Sequence, residues 1–406
     1  MFAPLKGIRV VDFTHVIAGP YTTHILCQLG ADVVKIERPG AGDVMRASRP
    51  GKGPPGFNPQ FVGFNHGKRS IAIDLKSEAG REVVRRLVRE GDVLVENLRP
   101  GELDKIGLGA REMTALNPRL IYCSISGWGA SGELAGRAGY DQVIQASIGM
   151  MMTQGDAGDP PMKVGFPLID VATGMNAACA LLAALHERAA TGRGRFIDVA
   201  MGDSGLMLNI GALANWMVGR QANERMGNRA LTQSPTAGVF ETAEGWISLA
   251  ANTPDQGAKA LEVMGRPELV ADPRFKLAGP RGGFFVVSDP DGAKAEVVAA
   301  LKSQSAEHWE AAFNAAGIAC AKIRTVDEFV DGPYRRTAGL HRTIAAQPGY
   351  DGAVQAPGAG FRVDGETVGN DRPVGALGAD GRSVLAELGY GEAEVAALAQ
   401  SRAVAL

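Results

Sequence analysis

The sequence predicts an open α/β fold over roughly the first half of the chain, followed by a smaller module of different character. Short β-branched runs alternate with amphipathic stretches from Ile8 to Ser124. Such alternation builds βαβ units, whose crossovers are right-handed and parallel as a rule. A polar stretch at 221–233 then separates this pattern from a hairpin-and-helix pattern.

The elements follow in order. Residues 8–13, Ile-Arg-Val-Val-Asp-Phe, read as a first strand. Pro20 opens a helix through Leu29, with Gly30 as its stop. Strands follow at 33–37 and 70–74, a helix at 78–89 and a strand at 92–96. A helix at 111–116 stops at Asn117-Pro118 and precedes strand 120–124. An apolar helix runs from Met175 through His186, Gly192-Arg193-Gly194 turns the chain, and Arg195–Val199 is a short strand. Residues 203–218 read as a helix. Gly238-Val239-Phe240 and Gly245–Ala250 read as a hairpin, with helices at 255–263, 291–301 and 306–315. A helix start at 326–330, loops around 348–360 and a helix or helix pair at 382–402 complete the chain.

Composition bounds the function. The 406 residues suffice for two domains, and 45% hydrophobic content suits an ordinary globular protein. A net charge of −2 gives no general attraction to nucleic acid or to an anionic membrane. The four cysteines show no CxxC spacing, and the expectation is reduced, mostly buried thiols in a cytoplasmic protein. No signal peptide is visible, and the apolar run 177–185 stops at His186-Glu187-Arg188, so a buried helix is expected there rather than a membrane span. The six histidines are dispersed, which argues against a metal site. The first βα turn, Thr14 to Pro20, lacks GxGxxG, and no Walker lysine motif is present, which argues against a dinucleotide dehydrogenase or a P-loop enzyme but leaves room for another nucleotide-containing ligand in the same place.

The candidate reactive group is Asp170, within Gly165-Phe166-Pro167-Leu168-Ile169-Asp170-Val171-Ala172-Thr173-Gly174. An acid between glycine-rich chain and an apolar helix has two readings: nucleophile, or N-cap of a helix beginning near 171. Asp141 is the competing acid, with the Tyr140 hydroxyl beside it. Arg38, Lys68, Lys105 and Arg137 lie near expected strand ends, where an open sheet binds ligands. They suit the phosphates of a cofactor, or are solvated surface charge. Asn97 closes a strand, either to read a ribose or adenine edge or as a turn former. His15, in the first βα loop, is a candidate base or hydrogen-bond donor.

Several segments together resemble the family III coenzyme A transferases, the group that includes formyl-CoA:oxalate and carnitine CoA transferases. They are residues 8–20, Leu29-Gly-Ala-Asp-Val-Val-Lys-Ile-Glu-Arg-Pro39, Gly42-Asp43, Asn65–Ile71, Asp92–Asn97, Gly101, Asn117-Pro-Arg119 and Gly192-Arg-Gly-Arg-Phe-Ile-Asp-Val-Ala200. Asp272-Pro-Arg-Phe275, Trp309 and Ala316-Gly-Ile318 extend the resemblance into the second module. It implies CoA transfer between an acyl-CoA and a small carboxylic acid, without a metal, through a covalent intermediate on Asp170. It implies CoA contacts at Val16, Arg38, Lys68, Asn97, Leu98, Lys105 and Arg137, with His15 and Tyr140 in support. It also implies a large Rossmann-like domain built from both chain ends, a small α+β domain, and an interlocked, ring-like homodimer. The expected boundaries are 1–200 and 325–406 for the large domain and its return linker, 201–224 for a linker helix, and 225–324 for the small domain. The related α-methylacyl-CoA racemases carry a histidine where this chain has Tyr140, in Gly139-Tyr140-Asp141, which favours transfer over racemisation. The remaining alternatives are a racemase or epimerase, and a CoA-binding protein in which Asp170 is only a cap. The segment that closes over the active site is expected at Gly227 or around Asn252-Thr253-Pro254.

Overall fold

The computed structural model describes residues 2–47, 53–278, 283–332 and 341–406. In chain order the elements are β1 (Arg9–Phe13), α1 (Ala18–Gln28), β2 (Asp32–Glu37), α2 (Pro59–Asn65), β3 (Arg69–Ile73), α3 (Glu78–Arg89), β4 (Val93–Glu96), α4 (Ala110–Leu116) and β5 (Ile121–Ser126). There follow α5 (Asp141–Ser147), α6 (Leu168–Thr191), β6 (Phe196–Ala200), α7 (Met201–Leu208) and α8 (Ile210–Met217). The second module holds β7 (Ala237–Glu241), β8 (Trp246–Ala250), α9 (Pro254–Val263), α10 (Pro290–Leu301), α11 (Ala306–Ala315), β9 (Cys320–Lys322) and α12 (Val326–Asp331). The chain ends with β10 (His341–Ile344), β11 (Val354–Pro357), β12 (Arg362–Val363), β13 (Glu366–Thr367), α13 (Gly381–Glu387), α14 (Glu392–Gln400) and β14 (Val404–Ala405).

The central sheet has seven strands in the order β14-β3-β2-β1-β4-β5-β6. Every pairing is parallel except that of β14 with β3. The order 3-2-1-4-5-6 reverses between β1 and β4, and that reversal opens a crevice outside the strand carboxyl ends. The parallel strands read as apolar runs because both faces are covered. Val11, Val34, Ile71 and Leu94 enter one core cluster, which includes α3, α13 and α14. Val10, Val33, Val93, Ile121 and Cys123 enter another, with α1 and α6. Local chemistry supports the helices. Ser77 Oγ accepts the Gly80 N–H at 3.0 Å at the start of α3, Glu78 sits in its first turn and Arg86 and Arg89 in its last. Its buried stripe is Val83, Val84, Leu87 and Val88, each contributing about 1.5–3 kcal/mol of burial.

The chain divides into two compact units. One comprises Met1–Gly149, Val164–Arg220 and Thr337–Leu406; the other comprises Met150–Lys163 and Gln221–Arg336. Residues 150–163, expected in the large domain, thus group with the second module. That module has its own three-stranded sheet, β7-β8-β9, and its own apolar core around Phe240, Leu261, Trp309 and Phe313.

Other differences from expectation have local causes. α6 begins at Leu168, seven residues before Met175, because a side chain from another element caps it. At 24 residues with mean hydropathy 1.7 over its most apolar window, α6 is long and apolar enough by length and composition to cross a membrane. In this fold it packs on α1, β5 and β6. A Cβ at Gly174 would fall 2.9 Å from the Ala18 carbonyl oxygen, so only glycine permits that approach to α1. The helix expected at 203–218 is two helices, broken at Asn209. β9, β14, α2 and α5 are too short to announce themselves by periodicity. Cys27, Cys123 and Cys320 are buried as expected, whereas Cys179 is exposed.

His24 and His66 are buried and meet edge to face, with ring centroids 4.6 Å apart. Among the described residues neither ring nitrogen of His24 makes a hydrogen bond of ordinary geometry. Burial, His66 and Lys68 hold His24 well below the ordinary imidazole pKa of 6.5. The folded protein therefore binds fewer protons here than the unfolded chain, and the contribution of this site to stability is lost as pH falls below 6.5. A His24→Phe variant keeps a flat ring and removes the titration. In thermal-shift curves from pH 8 to pH 5, the wild type is expected to lose stability more steeply than H24F below about pH 6.5. Parallel curves would remove this account.

Candidate active site

The crevice between β1 and β4 is built by two loops. His15, Val16 and Ile17 follow β1, and Asn97 and Leu98 follow β4. Asn97 ties them together: its Oδ1 accepts the His15 N–H at 2.9 Å, and its Nδ2 donates to the His15 carbonyl at 2.8 Å. Both ends of the amide thus meet backbone, with a ribose- or adenine-reading role and a turn-forming role as the two readings from sequence.

Val16 lies in the left-handed region, with φ of 68°. For a β-branched residue this costs about 1–3 kcal/mol and needs support from its surroundings. Support comes from below. Asp43 Oδ1 accepts the Val16 N–H at 3.3 Å, and Asp43 Oδ2 pairs with Lys35 Nζ at 3.0 Å. Lys35 also donates to the Thr14 carbonyl at 2.5 Å. Asp12, fully buried, accepts from Thr14 and Thr23 and pairs with Lys68 Nζ at 3.2 Å.

Lys68, which the resemblance puts on the cofactor, is 1% exposed, and its ammonium meets Asp12, Asn65 Oδ1 at 2.8 Å and the Pro20 carbonyl at 2.9 Å. Burial brings its pKa down to about 8, against the pull of Asp12. It supports the α1 end of the loop rather than lining a cavity.

Two cavities meet at this crevice. The larger, about 640 Å³, is lined by His15, Arg38, Val44, Lys76, Leu98 and Ile106 among others. The smaller, about 180 Å³, is lined by His15, Val16, Asn97, Leu98, Arg137, Tyr140 and Asp170 among others. His15 and Leu98 belong to both. The structure thus brings Asp170, His15, Tyr140, Val16, Asn97, Leu98 and Arg137 to one cavity and Arg38 to its neighbour. It does not bring Lys68 or Lys105 to either wall. Lys105 is exposed and paired with Glu102 at 2.6 Å. The cations that sequence reasoning missed are Lys76, just past β3, and Arg99, which lines the smaller cavity. Their signal was position after a strand carboxyl end.

Arg137 is carried on the loop 127–139. Asp198 Oδ2 holds that loop by accepting the Ala130 N–H at 2.8 Å. The loop closes where a Cβ on Gly127 would fall 2.9 Å from the Gly139 Cα, so both ends require glycine.

Asp170 is the third residue of α6 and half-buried. It does not cap the helix: no side chain of α6's own N-terminus does so. The cap is Asp141 from α5, whose Oδ2 accepts the N–H groups of Ile169 at 2.7 Å and Asp170 at 3.1 Å. The two readings of Asp170 are thereby separated, because the capping work falls to its competitor. Burial, and then the charge of Asp141, raise the Asp170 carboxyl to about 7. Burial also holds His15 below the ordinary imidazole value. A basic, half-buried carboxylate on a cavity shared with an imidazole is suited to nucleophilic attack on a carbonyl. Among the described residues no group of three or more His, Cys, Asp or Glu side chains is placed to hold a metal.

In a doubly wound α/β domain the ligand crevice lies at the switch point, and the Asp170 carboxyl lies on the cavity there. The sequence pattern of CoA-transferase family III matches residues 5–381, and the chain belongs to that family. It is 37% identical over 372 residues to an acetyl-CoA:oxalate CoA-transferase of Acetobacter aceti, covering 91% of this chain and 92% of that one. It is 32% identical over 394 residues to a succinyl-CoA:glutarate CoA-transferase of Mus musculus, covering 95% and 86%. A solved CAIB/BAIF family protein from Brucella suis superposes with a TM-score of 0.83 at 32% identity, over 96% of this chain and 100% of that one.

The raised Asp170 carboxyl has a stability consequence. The folded protein binds more protons here than the unfolded chain between the ordinary value of 3.8 and about 7. Stability from this site is therefore present at low pH and lost as pH rises through about 7. An Asp170→Asn variant is expected to melt about 2–5 °C above wild type at pH 8, with the two converging near pH 4. Equal melting temperatures at pH 8 would contradict the shifted carboxyl.

Proposed function

We propose that this protein moves CoA from an acyl-CoA donor to a small free carboxylic acid, with Asp170 as the covalently loaded group. The observation that carries the reading is the Asp170 carboxylate, half-buried and with no hydrogen-bond partner among the described residues, on the cavity at the β1–β4 reversal. The relatives named above support the reaction class.

Asp170 attacks the thioester carbonyl, the C–S bond breaks, and CoA leaves as thiolate. The thiolate then attacks the aspartyl carbonyl of the mixed anhydride, releasing the donor acid and leaving an aspartyl-CoA thioester. The acceptor carboxylate attacks that thioester and expels the thiolate again. Attack of the thiolate on the acceptor's acyl carbonyl gives the new acyl-CoA and frees Asp170. One difficult exchange becomes several easier steps.

Arg38 and Lys76 suit the nucleotide phosphates in the larger cavity, and Leu98 lines both cavities. Val16, with its strained backbone, and Asn97, through His15, shape the passage between them. Arg99 and Arg137 make no ion pair among the described residues and suit the acceptor's carboxylate, with His15 and Tyr140 as hydrogen-bond partners. A space of about 180 Å³ favours small acids over long acyl chains. Oxalate and glutarate in the relatives' names point the same way, to a small dicarboxylate acceptor.

The working unit in this reading is an interlocked homodimer. Met207, Leu208, Ile210, Trp216 and Met217 of α7 and α8 are exposed in the single chain, and α8 buries no residue. Four free cysteines fit a cytoplasmic location.

Asp170→Asn is expected to lower transfer by about 1,000-fold or more while the protein stays folded. Hydroxylamine trapping, or mass spectrometry of enzyme plus acyl-CoA, should label Asp170. Ordinary turnover in D170N, or an adduct on another residue, would sink the assignment.

A further inference from the structure

We infer that Asp141 is a positioning residue for the nucleophile: it clamps the first turn of the helix that bears Asp170 and holds a second negative charge against it. The inference rests on Asp170 being the loaded group.

The geometry of the clamp is continuous. Asp141 Oδ2 accepts from Ile169 N at 2.7 Å and Asp170 N at 3.1 Å. Its Oδ1 accepts from Gln145 Nε2 at 2.6 Å. Gln145, fully buried, uses its Oε1 to accept the Val164 N–H at 2.9 Å. One turn of α5 thus fixes both the segment entering α6 and the helix start. The Asp170 carboxylate sits on the turn so held, and its aim depends on it.

The clamp also decides where the helix-terminal field goes. First-turn N–H groups stabilise a nearby anion. Here two of them face Asp141, so that acid takes the hydrogen bonds, and the Asp170 carboxylate has none among the described residues. Asp170 is left as a desolvated anion beside another anion, and both effects raise its pKa. Acylation turns the Asp170 carboxylate into an uncharged anhydride, while the negative charge departs on the thiolate. The repulsion from Asp141 is relieved in that step, so it raises the ground state more than the product.

Other titratable groups surround α6. His24 and Tyr21 lie on α1, Asp198 on β6 and Asp203 on α7. His15, Arg99, Arg137 and Tyr140 share the cavity wall. Among all these, Asp141 is the charge that raises Asp170.

The test compares wild type with Asp141→Asn and Asp141→Ala in the full-length enzyme, with an acyl-CoA and an acceptor acid that it turns over. Asn keeps an acceptor oxygen for the helix N–H groups and removes the charge. In D141N the acid limb of kcat against pH is expected to move down by about one unit. In D141A kcat is expected to fall about 10- to 100-fold, with the KM for acyl-CoA changed less than about threefold. Should D141N fail to fold, Asp141→Ser, a neutral cap, carries the same comparison. Hydroxylamine labelling of Asp170 is followed in every variant. Labelling of Asp170 with an unmoved acid limb in the neutral variants overturns the role of Asp141 alone. Absence of the label in wild type overturns the nucleophile, and this inference with it.

Discussion

The site depends on a topological constraint: the central sheet reverses its winding between β1 and β4. The connections after those two strands leave on opposite sides and cannot satisfy each other's backbone by continuing a ladder. One amide side chain closes the gap. Asn97 holds both the N–H and the carbonyl of His15, so two loops with no strand pairing between their tips move as a unit. His15 takes its place in the cavity wall from that clamp, and the left-handed Val16 follows it in the same loop.

Beneath the clamp lies a charge network that an apolar core would not need. Asp12, Lys35, Asp43 and Lys68 are buried within the same unit, and each charge has an opposite partner. Such pairs add little net stability, but removing one member leaves an uncompensated buried charge, at a cost of about 3–5 kcal/mol. What the network supplies is position. Lys35 and Asp43 reach the Thr14 carbonyl and the Val16 N–H, so the strained loop rests on hydrogen bonds rather than on packing alone. Strain retained at a ligand cavity, and stabilised from below, is the mark of a preorganised site.

Two acids lie close together at the start of α6 and have opposite environments. Asp141 accepts three hydrogen bonds, two of them from the helix terminus. Asp170, the third residue of α6, accepts none among the described residues and is raised to about 7. Distinct environments for paired carboxyls are how a protein assigns them different chemical work. The lone histidine of the cavity, held neutral by burial, adds no charge that would quench the difference.

Much of this was legible in the sequence. The β-branched runs and their Gly, Pro and Asn stops located β1 to β6 within a residue or two, because a strand covered on both faces leaves a plain apolar signal. Helices α3, α9, α10 and α11 were equally plain, since each has an N-cap or a proline start. The isolated acid at 170 and the cations past strand ends were visible as candidates. Three things needed the tertiary structure. Whether Asp170 caps a helix or faces a cavity was settled by Asp141, about thirty residues away, and no local pattern encodes a bond of that span. Whether a lysine meets ligand or core turned on burial: Lys68 and Lys76 both border β3, yet one lies inside the domain and the other on a cavity wall. The antiparallel closure of the sheet by β14 joins residues from the two ends of the chain, through two residues too few to carry a period. Short-range sterics and hydrophobic period specify the elements; side chains meeting across the fold decide which acid caps the helix and which faces the cavity.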